Sequence, residues 1–251
     1  MNGKRKSIHP ALLPVYTPEE AARLLLCAKG GVFVATLNFE LIARGIADPG
    51  FAALLRSADY HICDGIGGAI LLRRGRPNSI VPRIPGIDLG YALLTLATKR
   101  ETSVFLLGGR PGVAKRAAKQ LMSSLPGLQI AGTAHGFFSK TDLPALRGRI
   151  RASGAEIVIV CLGSPQQEEW IAANRRYLPS ARLFLPLGGS LDVWAGEVSR
   201  APYLWQAAGI EWLWRILHAP GRIGRLWVAG CALLRSSDAD LYPKKHNFVS
   251  N

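Results

Sequence analysis

Five short polar segments, each directly behind an apolar run, hold the residue types that could do chemistry. They are Thr36 with Asn38, Asp64-Gly65, Gly108-Gly109, Gly163 through Glu168, and Gly188-Gly189 with Asp192. Asp64 ends an apolar run and precedes the glycines 65, 67 and 68. A carboxylate there can take a proton from a hydroxyl as general base, or cap the helix that follows it. Residues 104–112 read V-F-L-L-G-G-R-P-G. Glycines after a strand let a backbone approach closely, and free N–H groups at a helix start can hold a phosphate; an ordinary strand-to-helix turn has the same composition. The pattern is not G-x-G-x-x-G, so the dinucleotide fingerprint is missing.

Residues 163–169 read G-S-P-Q-Q-E-E. The acids suit the positive end of a helix, and the amides of Gln166 and Gln167 can hydrogen-bond a uracil, a ribose or a sugar hydroxyl. Arg83, in the proline-rich V-P-R-I-P-G of residues 81–86, can neutralise a diphosphate or simply be a solvated surface cation. The histidines at 9, 61, 135, 218 and 246 show no metal-ligand spacing. Asp238-Ala-Asp240 has a D-x-D form, but it lies in a polar tail and is read as coincidence. No G-x-S-x-G elbow occurs. The expectation is a site without a metal and without a cofactor.

These segments need elements to hold them. Thr17-Pro18-Glu19-Glu20 is a capping box with proline at the first helical position, opening a helix to about Ala28. Strands are expected at Val32–Leu37, Tyr60–Cys63, Val104–Leu107, Leu128–Gly132, Ile157–Leu162 and Leu183–Leu187. Helices are expected at Phe39–Ala47, Phe51–Ala58, Gly86–Lys99, Val113–Ser123, Leu143–Ala152 and Gln166–Tyr177. Several strands are unbroken apolar runs, which suits a parallel sheet covered on both faces. The fold class that follows is α/β: a Rossmann-like parallel sheet flanked by helices, with a helical C-terminal appendage. In such a sheet ligands bind beyond the carboxyl ends of the strands, where all five polar segments fall.

The chain has 251 residues, 49% of them hydrophobic, enough for one sizeable core. A catalytic domain is assigned to residues 1–196 and a basic, tryptophan-rich appendage to 197–251. Residues 200–235 hold five arginines, four tryptophans and one acid, Glu211. Pro220-Gly221 divides that stretch into helical pieces of about Tyr203–His218 and Arg222–Leu234. Cys27, Cys63, Cys161 and Cys231 form no C-x-x-C pair and read as reduced core thiols.

Thirty-one Lys plus Arg against 17 Asp plus Glu give a net charge of +14. That favours an anionic partner: nucleic acid, an acidic membrane or a phosphorylated substrate. Arg215, Arg222 and Arg225 beside tryptophans fit a surface that holds phosphates at an apolar interface, or a packed helical cap with arginines in water. Basic plus aromatic also describes nucleic-acid sites. The apolar content of the stretch and the lack of any nucleic-acid motif argue against that partner. No stretch reaches the ~18 apolar residues of a spanning helix, and the N-terminus lacks the apolar core of a signal peptide. The expected location is the cytoplasm, lying on the inner face of the cell membrane.

Taken in order, the segments resemble the WecG/TagA/CpsF family of bacterial glycosyltransferases. The likeness spans about Gly31 to Arg225. It is carried by Thr36-Leu37-Asn38, Asp59 with Asp64-Gly65, residues 83–86 and 105–112, Gly136 to Phe138, and Gly163 to Glu168. It continues through Gly188-Gly189 with Asp192, Arg200-Ala201-Pro202, Gly209 to Arg215 and Pro220 to Arg222. The resemblance implies an inverting, metal-independent transferase of UDP-sugars. Its acceptors would be sugars on polyprenyl diphosphate, in cell-surface polysaccharide synthesis, and the appendage would complete the site at the membrane. It further implies Asp64 as catalytic base. Thr36 and Asn38 would line the donor pocket and Gln167 contact substrate. Arg83, Arg215, Arg222 and Arg225 would meet diphosphate groups. The same likeness puts Gly108, Gly109, Gly163, Gln166, Glu168, Gly189, Asp192 and Arg200 in the substrate site. Two positions depart from the family pattern. Pro82 replaces a usual acid and Gln166 a usual lysine; both fall beside the expected donor site and bear on which sugar is carried. Rival readings are a non-catalytic nucleotide-sugar-binding regulator, a Rossmann oxidoreductase and a basic nucleic-acid binder. A homo-oligomer stays open.

Overall fold

The computed structural model describes residues 12–74 and 80–218, with Gly224 and Gly230. Its centre is a six-stranded sheet built from β1 (Val32–Leu37), β2 (Tyr60–Cys63), β3 (Val104–Gly108), β4 (Ile130–Ala134), β5 (Ile157–Cys161) and β6 (Leu183–Pro186). The order is β2-β1-β6-β5-β3-β4 and every pairing is parallel. Parallel neighbours need crossovers, which the helices supply. These are α1 (Pro18–Leu26), α2 (Phe39–Ala47), α3 (Pro49–Arg56), α4 (Ile66–Arg74), α5 (Gly86–Lys99), α6 (Val113–Ser124), α7 (Leu143–Ala152), α8 (Gln166–Asn174), α9 (Ser190–Trp194), α10 (Tyr203–Ala207) and α11 (Glu211–His218).

Successive strand residues point to opposite faces, and the core divides accordingly. Phe33, Phe105, Val158 and Phe184 pack with Ile42 of α2, Leu55 of α3, Ile150 of α7 and Ile171 of α8. Their neighbours Val34, Leu106, Ile159 and Leu185 pack on the other face with Leu25 of α1, Leu93 of α5, Leu121 of α6 and Leu191 of α9. Burial of each such side chain contributes roughly 1.5–3 kcal/mol. The sandwich fixes the height at which every strand ends, and so aligns the polar segments along one edge. β3 leads outward to β4 while β5 leads back to β6, so the direction of strand addition reverses between β3 and β5, the switch point at which such sheets bind ligands.

The capping box at Thr17 forms, with the Thr17 hydroxyl accepting from the Glu20 N–H and the Glu20 carboxylate accepting from the Thr17 N–H. Other details differ from the sequence expectation. β4 runs two residues later than expected, at Ile130–Ala134. A helix, α4, starts almost directly after Asp64; Gly67 and Gly68 dilute its helical signal in the sequence. The expected helix over 203–218 is two short ones, because Gly209 takes φ +75° between them. Cys63 and Cys161 are buried, whereas Cys27 is exposed at the end of α1. The second expected helical piece, about Arg222–Leu234, falls outside the described residues apart from Gly224 and Gly230, as does Cys231.

Gly108, the last residue of β3, has φ +139°, and a methyl group on it would stand 2.2 Å from the Cys161 carbonyl oxygen on β5. Gly108→Ala is therefore expected to destabilise the fold by roughly 2–6 kcal/mol, combining ~1–3 for backbone strain with ~1–3 for overpacking. Urea unfolding measures it, and a loss below about 1 kcal/mol would contradict the tight β3–β5 approach.

Candidate functional site at the carboxyl edge of the sheet

The densest convergence lies where β1, β2, β6 and α5 meet. Asp64 follows β2, and its N–H donates to the Leu37 carbonyl at the end of β1 (2.7 Å). A methyl group on Gly86 would lie 3.3 Å from Leu187 Cδ2, 3.5 Å from Asp64 Oδ2 and 3.6 Å from Thr36 Cγ2. Gly86 is the first residue of α5, which follows Pro85 and has no side-chain cap. The Asp64 carboxylate thus stands beside the first turn of a 14-residue helix, where unpaired N–H groups concentrate positive potential. Thr36 is buried, and its hydroxyl donates to the Pro186 carbonyl (3.1 Å). Asn38 caps α2, its Oδ1 accepting from the Leu41 N–H (3.0 Å).

Next along the edge, Gly163 (φ +76°) follows β5 and a cis Ser164–Pro165 bond opens α8. Gln167 is 4% exposed and joins two loops. Its Oε1 accepts from the Gly188 N–H after β6 (2.9 Å), and its Nε2 donates to Glu168 Oε1 (2.8 Å). Glu168 is fully buried, and its Oε2 has no partner among the described residues. Burial raises the Glu168 pKa, against the pull of hydrogen bonds from Gln167 and Ser164. Gln166 is exposed. Gly189 is exposed before α9, and Asp192 lies in that helix, its Oδ2 3.7 Å from where a Gly189 methyl would be. Gly108 and Gly109 stand beside this cluster, since β3 neighbours β5, and the Gly109 carbonyl accepts from the Gly136 N–H (2.8 Å).

The arginines have partners of their own. Arg83 Nη2 donates to the Gln206 carbonyl near the end of α10 (3.1 Å). Arg200 makes a two-pronged pair with Asp88 in the first turn of α5 (2.6 and 2.8 Å) and lies 3.8 Å from Glu211 of α11. Burial disfavours its charge, but Asp88, then Glu211 and Asp64, more than compensate and raise its pKa. Arg215 belongs to α11. Arg222 and Arg225 lie outside the described residues. The site's thiols are poor nucleophiles. Burial, with a smaller contribution from Asp64, pushes Cys63 up to about 12, and burial likewise pushes Cys161 to about 12. Among the described residues no three His, Cys, Asp or Glu cluster to hold a metal ion.

Sequence reasoning did not single out Gly86, Asp88, Leu187, Gln206 or Glu211 for the site. Asp88 offered one signal: it follows the R-I-P-G segment by two residues, but an acid in a first helical turn is ordinary. Gln206 acts through its backbone carbonyl, which no side-chain pattern reveals.

A family model described as the Glycosyl transferase WecG/TagA/CpsF family matches residues 12–240.

Proposed function

Because the chain belongs to the WecG/TagA/CpsF family of glycosyltransferases, we propose that it moves a hexose or N-acetylhexosamine-type sugar from a UDP-sugar to a sugar carried on polyprenyl diphosphate, with inversion, during cell-surface polysaccharide synthesis. The observation that carries the reading is the Asp64 carboxylate at the strand edge, beside Thr36 and the uncapped start of α5.

In this mechanism the acceptor hydroxyl attacks the anomeric carbon from the side opposite UDP. Asp64 takes the hydroxyl proton as the new C–O bond forms, and the bond to UDP breaks with its electron pair leaving on the diphosphate. That charge needs fixed positive partners. The guanidinium groups of Arg83, Arg215, Arg222 and Arg225 are assigned to it, so the step is proposed to need no metal. Thr36, Asn38, Gly108, Gly109 and Gly163 line the donor side. Gln167 is held by Gly188 and Glu168, which gives it one orientation from which to meet a polar donor group. Gln166, Gly189 and Asp192 complete that rim.

No described helix is long and apolar enough to cross a membrane. Tyr203 and Leu204 of α10 are 79% and 77% exposed, Trp212 and Leu217 of α11 are exposed, and so are Ile66 and Ile70 of α4. An apolar surface beside a basic stretch favours lying on an acidic bilayer, which would bring a lipid-linked acceptor to the edge where Asp64 stands. The test is UDP release from a panel of UDP-sugars mixed with a lipid-diphosphate sugar acceptor. Release that needs both substrates and survives EDTA is expected; UDP-sugar binding without release would leave a binding regulator in its place.

A further inference from the structure

We infer that Asp88, Arg200 and Glu211 form a latch that holds α10 and α11 against the catalytic edge, with Asp88 and Glu211 as positioning residues for the lipid-linked acceptor. The inference rests on the transferase reading for its substrate and on geometry for the latch itself.

Arg200 precedes α10, and its guanidinium turns back to the core rather than outward. Both prongs reach the Asp88 carboxylate at 2.6 and 2.8 Å, and the same Nη2 lies 3.8 Å from the Glu211 carboxylate in α11. Asp88 belongs to the first turn of α5 and Glu211 to the first turn of α11. One guanidinium therefore ties the two helix starts together. A planar fork on a carboxylate fixes direction as well as distance, and half-burial shields this pair from solvent. The second attachment is independent. Arg83 reaches the Gln206 carbonyl, and Gly209 lies buried between α10 and α11 where a methyl group would stand 3.2 Å from Arg83 Nη1 and 3.4 Å from Ile66.

Among the described side chains, neither helix contributes to the two main core clusters, and α10 buries none. The polar contacts therefore carry much of the docking, so the docked population responds to losing one. A site that is competent only when docked shows its weakness as a higher apparent dissociation constant, which saturating ligand restores.

The test uses Glu211→Gln and Asp88→Asn in the full chain. Each is expected to raise the KM for the lipid-linked acceptor on the order of ten-fold or more, since each removes one of the two carboxylates through which Arg200 joins the starts of α5 and α11. kcat at saturating acceptor and affinity for UDP should stay within about two-fold, because the docked form is unchanged. Hydrogen exchange of backbone amides 203–218 should quicken in parallel. Glu211→Gln leaves the Asp88–Arg200 pair intact and guards against a folding defect. Unchanged acceptor KM, unchanged exchange, or a loss confined to kcat would each overturn the latch. Should the wild-type chain transfer no sugar, exchange alone decides: quickening supports the latch and equal rates refute it.

Discussion

Asp64→Asn is expected to lower turnover by roughly 10²–10⁴-fold, the usual worth of a general base, while the protein stays folded and still binds UDP. Asparagine keeps the shape beside Gly86 and Thr36 and removes only the group that accepts the proton. Arg200 retains its two-pronged partner Asp88 and its neighbour Glu211, so the loss of the third carboxylate near it does not free the guanidinium. The first turn of α5 loses a neighbouring anion, worth about 0.3–1 kcal/mol at most exposed sites, which a whole domain absorbs. The measurement is kcat with a saturating donor and acceptor, alongside a UDP titration of the same variant. Turnover at the wild-type level in a folded Asp64→Asn protein removes this residue from the role. A variant that loses UDP binding as well would make Asp64 a binding group.

The outcome turns on a placement that the sequence only half reveals. Asp64 is legible as a strand-end carboxylate because Tyr60 to Cys63 is apolar apart from His61 and glycines follow. The sheet is legible too, since buried parallel strands lack polar alternation. What the chain order hides is that β1 and β6 are neighbours although they open and close the strand series. That pairing gathers Leu187, Thr36 and Asp64 around Gly86 and lets the Thr36 hydroxyl donate to the Pro186 carbonyl, 150 positions away. Asn38 and Gln167 show a second limit. Their side chains suit a ligand by type, yet they bond to Leu41 and to Gly188 and Glu168. Side-chain chemistry is legible in a sequence, while its first claimant is set by packing. Arg200 is the sharpest case. It was expected among substrate contacts, and two carboxylates from different helices already surround it. Gly209 is the converse: a helical stretch by composition is split by one left-handed residue that lets the chain fold back over Arg83.

Removal of every residue from Tyr203 onward is expected to reduce transfer to a lipid-linked acceptor by at least about 10²-fold, the scale for losing groups that stabilise a leaving charge, while the remaining chain folds. Among the described residues both main core clusters end before this point, with Ala195 the last member, so the sheet and its flanking helices keep those buried contacts. The cut removes Arg215, Arg222 and Arg225 together with the exposed Tyr203, Leu204, Trp212 and Leu217. It also takes away the Gln206 carbonyl and the Glu211 carboxylate, which leaves Arg83 without that acceptor and Arg200 without its link to α11. Two consequences separate here. Loss of the apolar surface should weaken sedimentation with acidic vesicles and raise solubility, and loss of the arginines should leave the departing diphosphate without their charge. A short, water-soluble diphosphate acceptor distinguishes them. If only membrane delivery fails, the truncated chain transfers sugar to that acceptor at the full rate; if charge stabilisation fails, it transfers slowly to both. The slow result is expected, since α11 is tied to α5 within reach of the Asp64 field. Full activity toward the lipid acceptor itself would leave the last helices with no part in the reaction.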